Sequence, residues 1–363
     1  MSKTTKLVTG IVVILLAIAG WIFAGQKSVS QEAVKIGALY AVSGPAAKYG
    51  EVSIQGIKDA IDFFKTKNSK ANIELVIGDT KGDPKEGVTE ATRMFSVDGI
   101  KFALVGLSGV SNAVGPVADQ YSAMTITDAA SFGITKGRSH LLQNFLPSLG
   151  DIPKLINGKA EWKKVVVVYI NDDFGVINSN LVKNNVNSGR EVLVIPFEKD
   201  AKEFRTEATK IAQFQPDVAV VLGSGPALNQ VMADLSVQNI TAPLVTYLAC
   251  TLPGVLTDKR FSLEDEYSYE YPLGQNKEML DYISSKGGST NTFYTLAFEN
   301  TLLLLNSATK SGGDVNKAID LLKNKGISAL FGEVKFNQDG VVSRDLVLTR
   351  VEGGKCERVS ARY

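Results

Sequence analysis

Short apolar runs rich in β-branched residues recur along this chain, each closed by small polar residues and followed by a stretch of helical spacing. VVVVYI at 165–170 is the purest of them. These runs do not alternate, so both faces of each strand need covering, which is the condition of a parallel sheet with helices on both sides. VKIGALYA (34–41), IELVIGD (73–79), FALVGL (102–107) and AMTIT (123–127) read as strands of a first unit. Helices are expected over 46–64 and 112–121, the first with Ile54, Ile57, Ile61 and Phe64 on one face. After Pro147 the pattern restarts, with strands at 165–170, 191–197 and 217–223 and helices at 174–188, 203–214 and 226–237. Residues 276–323 are helix-rich, and the tail returns to strands at 332–336 and 345–351 joined by a turn at 337–340. A length of 363 residues accommodates two cores of this kind. The expected class is α/β, with two doubly wound parallel-sheet lobes.

The N-terminus carries an export pattern. Lys3 and Lys6 precede an apolar run from Leu7 to Ala24. A basic flank stays cytoplasmic while the apolar part enters the membrane. A run of 18 residues sits between a signal-peptide core and a spanning helix. Ala17-Ile18-Ala19 and Ala24-Gly25 offer cleavage sites, and Trp21 and Phe23 suit interfacial anchors, so residues 1–30 are either a signal peptide or a membrane anchor. No cysteine follows the run, which excludes lipid modification there. Either way the body is expected outside the cytoplasm, touching membrane only through this segment.

Composition narrows the function. Lys3, Lys6 and Lys27 are the only charges in residues 1–30, so beyond them 36 basic residues face 38 acidic ones. That balance gives no footprint for nucleic acid. With one histidine, His140, and two distant cysteines, Cys250 and Cys356, no zinc site of ordinary spacing can be assembled and no cofactor is expected. The cysteines either pair or lie buried as small apolar residues; their separation does not decide. GLSGV (106–110) lacks the spacing of a nucleophile elbow, and GSGPAL (223–228) lacks the third glycine of a dinucleotide fingerprint. The chain is not expected to be an enzyme.

Ligands of open parallel sheets bind beyond the carboxyl ends of the strands, where helix N-termini present free N–H groups. Three such ends are rich in small hydroxylated residues: 42–45 with Tyr49 beyond, 106–111 with Ser108 and Ser111, and 127–133 with Asp128, Ala129, Ala130 and Ser131. Any one of these fits helix capping alone. Three at one sheet edge point to a ligand. Asp172-Asp173 follows the strand 165–170 and suits either a helix cap or a cationic group.

The ordered motifs VKIGALYAVSGPAAKYG, GDTKGDPKEGVTEATRMF, FALVG, ITDAAS and INDDFG resemble the type I periplasmic binding proteins, above all the leucine/isoleucine/valine-binding proteins of ABC importers. The resemblance runs from residue 34 to the C-terminus. It implies two lobes joined by three hinge crossovers: 34–147 with 275–332, and 148–274 with 333–363. It further implies a carboxylate-bearing, amino-acid-like solute captured between the lobes and delivered to an ABC permease. The implied carboxylate site is Ser108 or Ser111 with Ala129, Ala130 and Ser131, and Tyr49 and Phe174 fall on the aromatic walls. Two departures stand out. Gly223-Ser224-Gly225 replaces a bulky aromatic contact, and no acid lies within TYLACT (246–251) to meet an ammonium group. Either Asp128 or Asp172 substitutes, or the ligand is an aromatic acid, an amide or a peptide-like compound rather than an ordinary amino acid. A ligand-sensing domain serving a signalling partner is the alternative; a nucleotide-dependent oxidoreductase fits neither the glycine pattern nor the export signal.

Overall fold

The structure, a computed structural model, describes residues 33–359 apart from 132, 146–148, 239, 253, 271–275, 289–290, 343 and 345–346. The export segment lies outside the described residues. Among the described residues no helix is long and apolar enough to cross a membrane.

The first lobe opens with β1 (Val34–Tyr40), α1 (Ala47–Lys67), β2 (Ile73–Asp79), α2 (Pro84–Ser96), β3 (Phe102–Val105), α3 (Ser108–Tyr121), β4 (Met124–Thr127) and β5 (Leu141–Gln143). Its strands are all parallel, in the order β2-β1-β3-β4-β5. Alternate residues of β1 serve opposite faces. Ile36, Ala38 and Tyr40 join the core of Ile54, Ile57 and Phe298, while Leu39 joins that of Met94, Val110 and Val114. This two-sided burial explains why the strands read as unbroken apolar runs.

The second lobe holds α4 (Asp151–Gly158), β6 (Lys164–Ile170), α5 (Asp173–Asn185), β7 (Glu191–Phe197), α6 (Arg205–Phe214), β8 (Val218–Leu222), α7 (Gly225–Val237), β9 (Leu244–Tyr247) and β10 (Tyr267–Glu270). The chain then returns to the first lobe with α8 (Lys277–Ser285), α9 (Thr292–Lys310), α10 (Val315–Asn324), β11 (Ile327–Ala329) and β12 (Gly332–Val334). Helix α9 lies along α1, and Tyr282 of α8 meets Phe63 edge-on at 5.0 Å. Strands β13 (Val347–Glu352) and β14 (Lys355–Arg358) complete the second sheet in the order β14-β13-β10-β9-β8-β6-β7. β13 and β14 run antiparallel, so this sheet is mixed rather than purely parallel. An antiparallel hairpin at the edge needs only a short turn, whereas another parallel strand would require a crossover helix.

The expected boundary at 332 moves. β12 pairs with β11, and the turn 337–340 docks on the outer edge of β5, with Gln143 N–H donating to the Gly340 carbonyl at 2.7 Å and Val342 N–H to that of Gln143 at 3.0 Å. Residues 340–342 thus cover an edge that would otherwise be unpaired, and the chain enters the second sheet only with β13. The chain passes between sheets after β5, after β10 and after β12.

Each sheet reverses winding once, between β1 and β3 in the first and between β6 and β8 in the second. These are the switch points where open α/β sheets leave a crevice. Both carry a glycine that lets the following helix press on the strand end. A Cβ on Gly50 would lie 1.8 Å from the Ala41 carbonyl oxygen, and one on Gly175 would lie 1.8 Å from that of Ile170.

Candidate functional site

The two switch points face each other. Tyr49, in the first turn of α1, reaches the second lobe, where its hydroxyl bonds Ser224 ahead of α7. Burial there pushes the Tyr49 hydroxyl up to about 12. A Cβ on Gly225 would stand 2.6 Å from that hydroxyl oxygen, and Gly225 has φ +82°. The sequence Gly223-Ser224-Gly225 therefore makes room for an aromatic side chain supplied by the opposite lobe. Tyr49 also packs against Phe293, at the start of α9, with ring centroids 4.6 Å apart and the planes tilted by 41°. Across the gap, Phe174 in the first turn of α5 lies 5.0 Å from Tyr247, the last residue of β9. Burial raises the Tyr247 hydroxyl, and the nearby Asp172 carboxylate raises it further.

The turn 127–131 is more committed than its sequence suggests. Ala129 N–H donates to the Thr127 hydroxyl at 2.9 Å, so it is not free for a carboxylate as expected. The Gln143 side-chain amide donates to the carbonyls of Ala129 and Ser131. Ala130 faces the second lobe, its carbonyl accepting a long 3.5 Å contact from Asn178. Ser131 is 3% exposed, and its hydroxyl oxygen has no partner among the described residues. Such an orphan costs free energy unless something else fills its hydrogen-bonding capacity. Of the two candidate serines on α3, Ser111 is fully buried and bonds Thr127 at 2.7 Å, fastening the helix to β4. Ser108 opens the helix, where backbone N–H groups are unpaired by construction.

Asp128 is 8% exposed at the end of β4. Tyr40 donates to it at 3.0 Å and Leu107 N–H bonds it from the turn before α3. Burial outweighs both bonds and pushes its carboxyl up to about 7. Asp172 takes its capping role: it accepts from Gly175 N–H at 2.9 Å, and burial raises its carboxyl. His140 pairs with Asp119 at 3.2 Å, away from the cleft residues.

An acid does reach TYLACT, from the neighbouring strand. Glu270, the last residue of β10, accepts from Cys250 N–H at 3.0 Å and from the hydroxyls of Thr251 and Ser268. Burial pushes it up to about 7. Thr251 also bonds the Thr292 hydroxyl and accepts from Thr292 N–H at 3.2 Å, tying this loop to α9 of the first lobe. Cys250 and Cys356 are joined in a disulfide, with their Cα atoms 6.1 Å apart. Tyr40, Tyr247, Glu270, Thr292 and Phe293 were not singled out from the sequence. The first three end strands, so the rule that picked the other loops would have found them; the last two were hidden in a helix read only for its leucines.

Asp128, Glu270 and Glu266, the last also near 7 through burial, have an uncommon consequence together. Their carboxyls titrate near 4 when unfolded, so between about pH 4 and 7 the folded chain binds more protons. Their contribution to stability is fully present below the unfolded values and is lost as pH rises to 7. The melting temperature of the empty protein is therefore expected to fall by several degrees between pH 5.5 and 7.5. A flat or rising profile in thermal unfolding would contradict the burial of these groups.

The periplasmic binding protein family profile matches residues 33–355. The chain belongs to the periplasmic binding protein family. The Leu/Ile/Val-binding protein of Escherichia coli is 21% identical, covering 85% of this chain and 88% of its own. Among solved structures, the branched-chain amino acid transporter substrate-binding protein of Streptococcus pneumoniae in complex with isoleucine aligns with a TM-score of 0.80, at 21% identity, over 90% of this chain and 99% of that one. A solute-binding protein of an ABC transporter from Rhodopseudomonas palustris, in complex with benzoate, aligns with a TM-score of 0.78, at 19% identity, over 90% and 95%. The two-lobed α/β architecture is thus that of periplasmic binding proteins.

Proposed function

We propose that this chain is an extracytoplasmic solute-binding protein that closes around a small, amino-acid-like carboxylate and passes it unchanged to an ABC permease. The observation that carries this reading is the buried Ser131 hydroxyl, without a partner among the described residues, on the turn whose Asp128 meets Leu107 N–H just before α3. In this reading Ser108, Ala130 and Ser131 take the carboxylate by hydroxyl and backbone donors, without an opposite full charge. Tyr49 and Ser224 join the lobes over it, and Phe174 contacts the remainder of the solute. Relatives named for branched-chain amino acids and neighbours bound to benzoate support a carboxylate as the shared feature.

A thermal-shift screen of the common amino acids and aromatic acids tests this. A solute at a hundredfold excess over its Kd stabilises the fold by ~2.7 kcal/mol. Ser108→Ala combined with Ser131→Ala is expected to weaken the best solute at least tenfold, the scale of lost charge-assisted bonds. Unchanged calorimetric affinity in the double variant would remove the carboxylate assignment.

A further inference from the structure

The two main sheets have four outer edges, β2 and β5 in the first and β7 and β14 in the second. An outer strand presents a row of unpaired N–H and C=O groups, which folded proteins cover or block. Three of the four are protected. Residues 340–342 bond the edge of β5. β7 carries Pro196, which has no N–H to offer a further strand. β14 is four residues long, and Lys355, Glu357 and Arg358 are charged. β2 has no such device. It runs for seven residues with no proline, lysine or arginine, and only Glu74 interrupts its apolar part. Beyond the ladder with β1, residues 73–79 make no backbone–backbone hydrogen bond among the described residues. Ile77 is 38% exposed, and Ile73, Leu75 and Val76 are half-buried. We infer that β2 is the pairing edge for a second copy of this chain, the two β2 strands running antiparallel about a two-fold axis through Leu75.

The occupant follows from the strand itself. A row of free backbone donors and acceptors is matched by another extended strand. Pairing of β2 with itself is isologous, so it closes at two copies. With Leu75 on the axis, Ile73 stands opposite the partner's Ile77, and Leu75 opposite the partner's Leu75. Side chains alternate along a strand, so these three share one face. Ile73 and Leu75 already pack against the core that holds Ile57 and Phe298, and pairing carries that core across the axis. Apolar pairs directly opposite each other stabilise a ladder, whereas like charges there oppose it. On the other face Glu74 meets the partner's Val76. Neighbouring registers are worse. An axis at Glu74 would set the two glutamates opposite each other, and one at Val76 would set Ile73 against Asp79.

The ends of the strand match as well. Residues 65–72 carry Lys65, Lys67 and Lys70 and no acid, whereas 79–86 carry three acids against two lysines. Antiparallel pairing brings the basic end of each copy beside the acidic end of the other. β2 lies on the far side of β1 from β3, so pairing adds strands away from the β1–β3 crevice.

The test is sedimentation of the full-length chain in mild detergent, joined to cross-linking. Both native cysteines are in the disulfide, so Leu75→Cys adds a single free thiol. Opposed Cβ atoms of an antiparallel pair lie ~5 Å apart, within a small adjustment of disulfide geometry. The wild-type chain is expected to sediment as a reversible dimer. A mild oxidant should convert Leu75→Cys to a covalent dimer roughly tenfold faster than Val97→Cys. Val97 is the control because it is 76% exposed but lies after α2, off the β2 edge. Ile77→Lys places a charge against the partner's Ile73 and should weaken the dimer roughly tenfold with circular dichroism unchanged. A wild-type chain that stays monomeric at every concentration would overturn the inference. So would a dimer that Ile77→Lys leaves intact, which would put the contact elsewhere, or Leu75→Cys cross-linking no faster than Val97→Cys. Sedimentation of the wild type and of Ile77→Lys decides the matter even if Leu75→Cys fails to fold.

Discussion

Replacing Arg344 with alanine is expected to destabilise the protein by about 3–5 kcal/mol, the cost of leaving a buried partner charge uncompensated. The partner is Glu299 in α9, whose side chain is 0% exposed against 6% for Arg344. The guanidinium grips both carboxylate oxygens, at 2.9 and 3.2 Å, a two-point geometry that fixes direction as well as distance. Glu299 also accepts from Phe331 N–H at 2.9 Å and from the Asn144 side chain at 2.9 Å. Arg344 further lies over the Phe331 ring at 5.1 Å. Asn144 follows β5 and Arg344 precedes β13, so one carboxylate fastens two of the stretches that leave the first lobe. Chemical denaturation of Arg344→Ala and Glu299→Gln should show the loss in the midpoint. Replacing both with apolar residues, Arg344→Met with Glu299→Leu, should recover part of it, because a buried pair exchanged for well-packed side chains is often nearly neutral. A double variant weaker than either single one would mean that the bonds to Phe331 and Asn144, not the ion pair, carry the stability.

The second large effect is expected at the disulfide. Cys250 and Cys356 close a loop spanning 106 positions, for which the chain-entropy model gives a stabilisation of about 4.7 kcal/mol, lower if the unfolded chain keeps structure. Cys250→Ser with Cys356→Ser should therefore lower the melting temperature markedly, and a dithiol reductant should do the same to the native chain. The bond also anchors the loop after β9. Cys250 N–H meets Glu270, and Thr251 meets Thr292 of the opposite lobe. Loosening this loop is expected to weaken solute affinity as well as stability. A double variant that melts lower but binds equally would show that the loop is held by Glu270 without help from the disulfide.

The scaffold was legible because its signal is local. Unalternating runs such as Val165–Val168, all 0% exposed, can be satisfied only in a sheet covered on both faces. Helix limits followed from spacing and caps: α5 begins at Asp173 behind its Asp172 cap, and α7 begins at Gly225. Short or partly polar elements escaped, among them β5, β9 and β10, which are only three or four residues long. The tail was misassigned for a different reason: nothing in residues 340–342 announces that they bond to Gln143, far away in sequence.

At the site the division is similar. Tyr49, Ser108, Asp128 and Ser131 were found by asking what ends a strand or opens a helix, Phe174 and Ser224 through the family resemblance, and the structure brings Tyr49 to Ser224 and Asp128 to Tyr40. It also takes Ser111 and the Ala129 N–H into bonds within the first lobe. Hydroxyls and N–H groups can be located from sequence, but whether they are free depends on neighbours from other strands. By itself the sequence determined two α/β lobes, strand-end loops as the place for a ligand, and the absence of motifs for common cofactors. Only the tertiary structure decided that the cysteines pair, that Glu270 reaches the loop its own strand does not contain, and that Tyr49 fills the space left by Gly225. Periodicity is written in neighbouring residues, whereas pairing, desolvation and lobe-to-lobe contact arise between residues that only folding brings together.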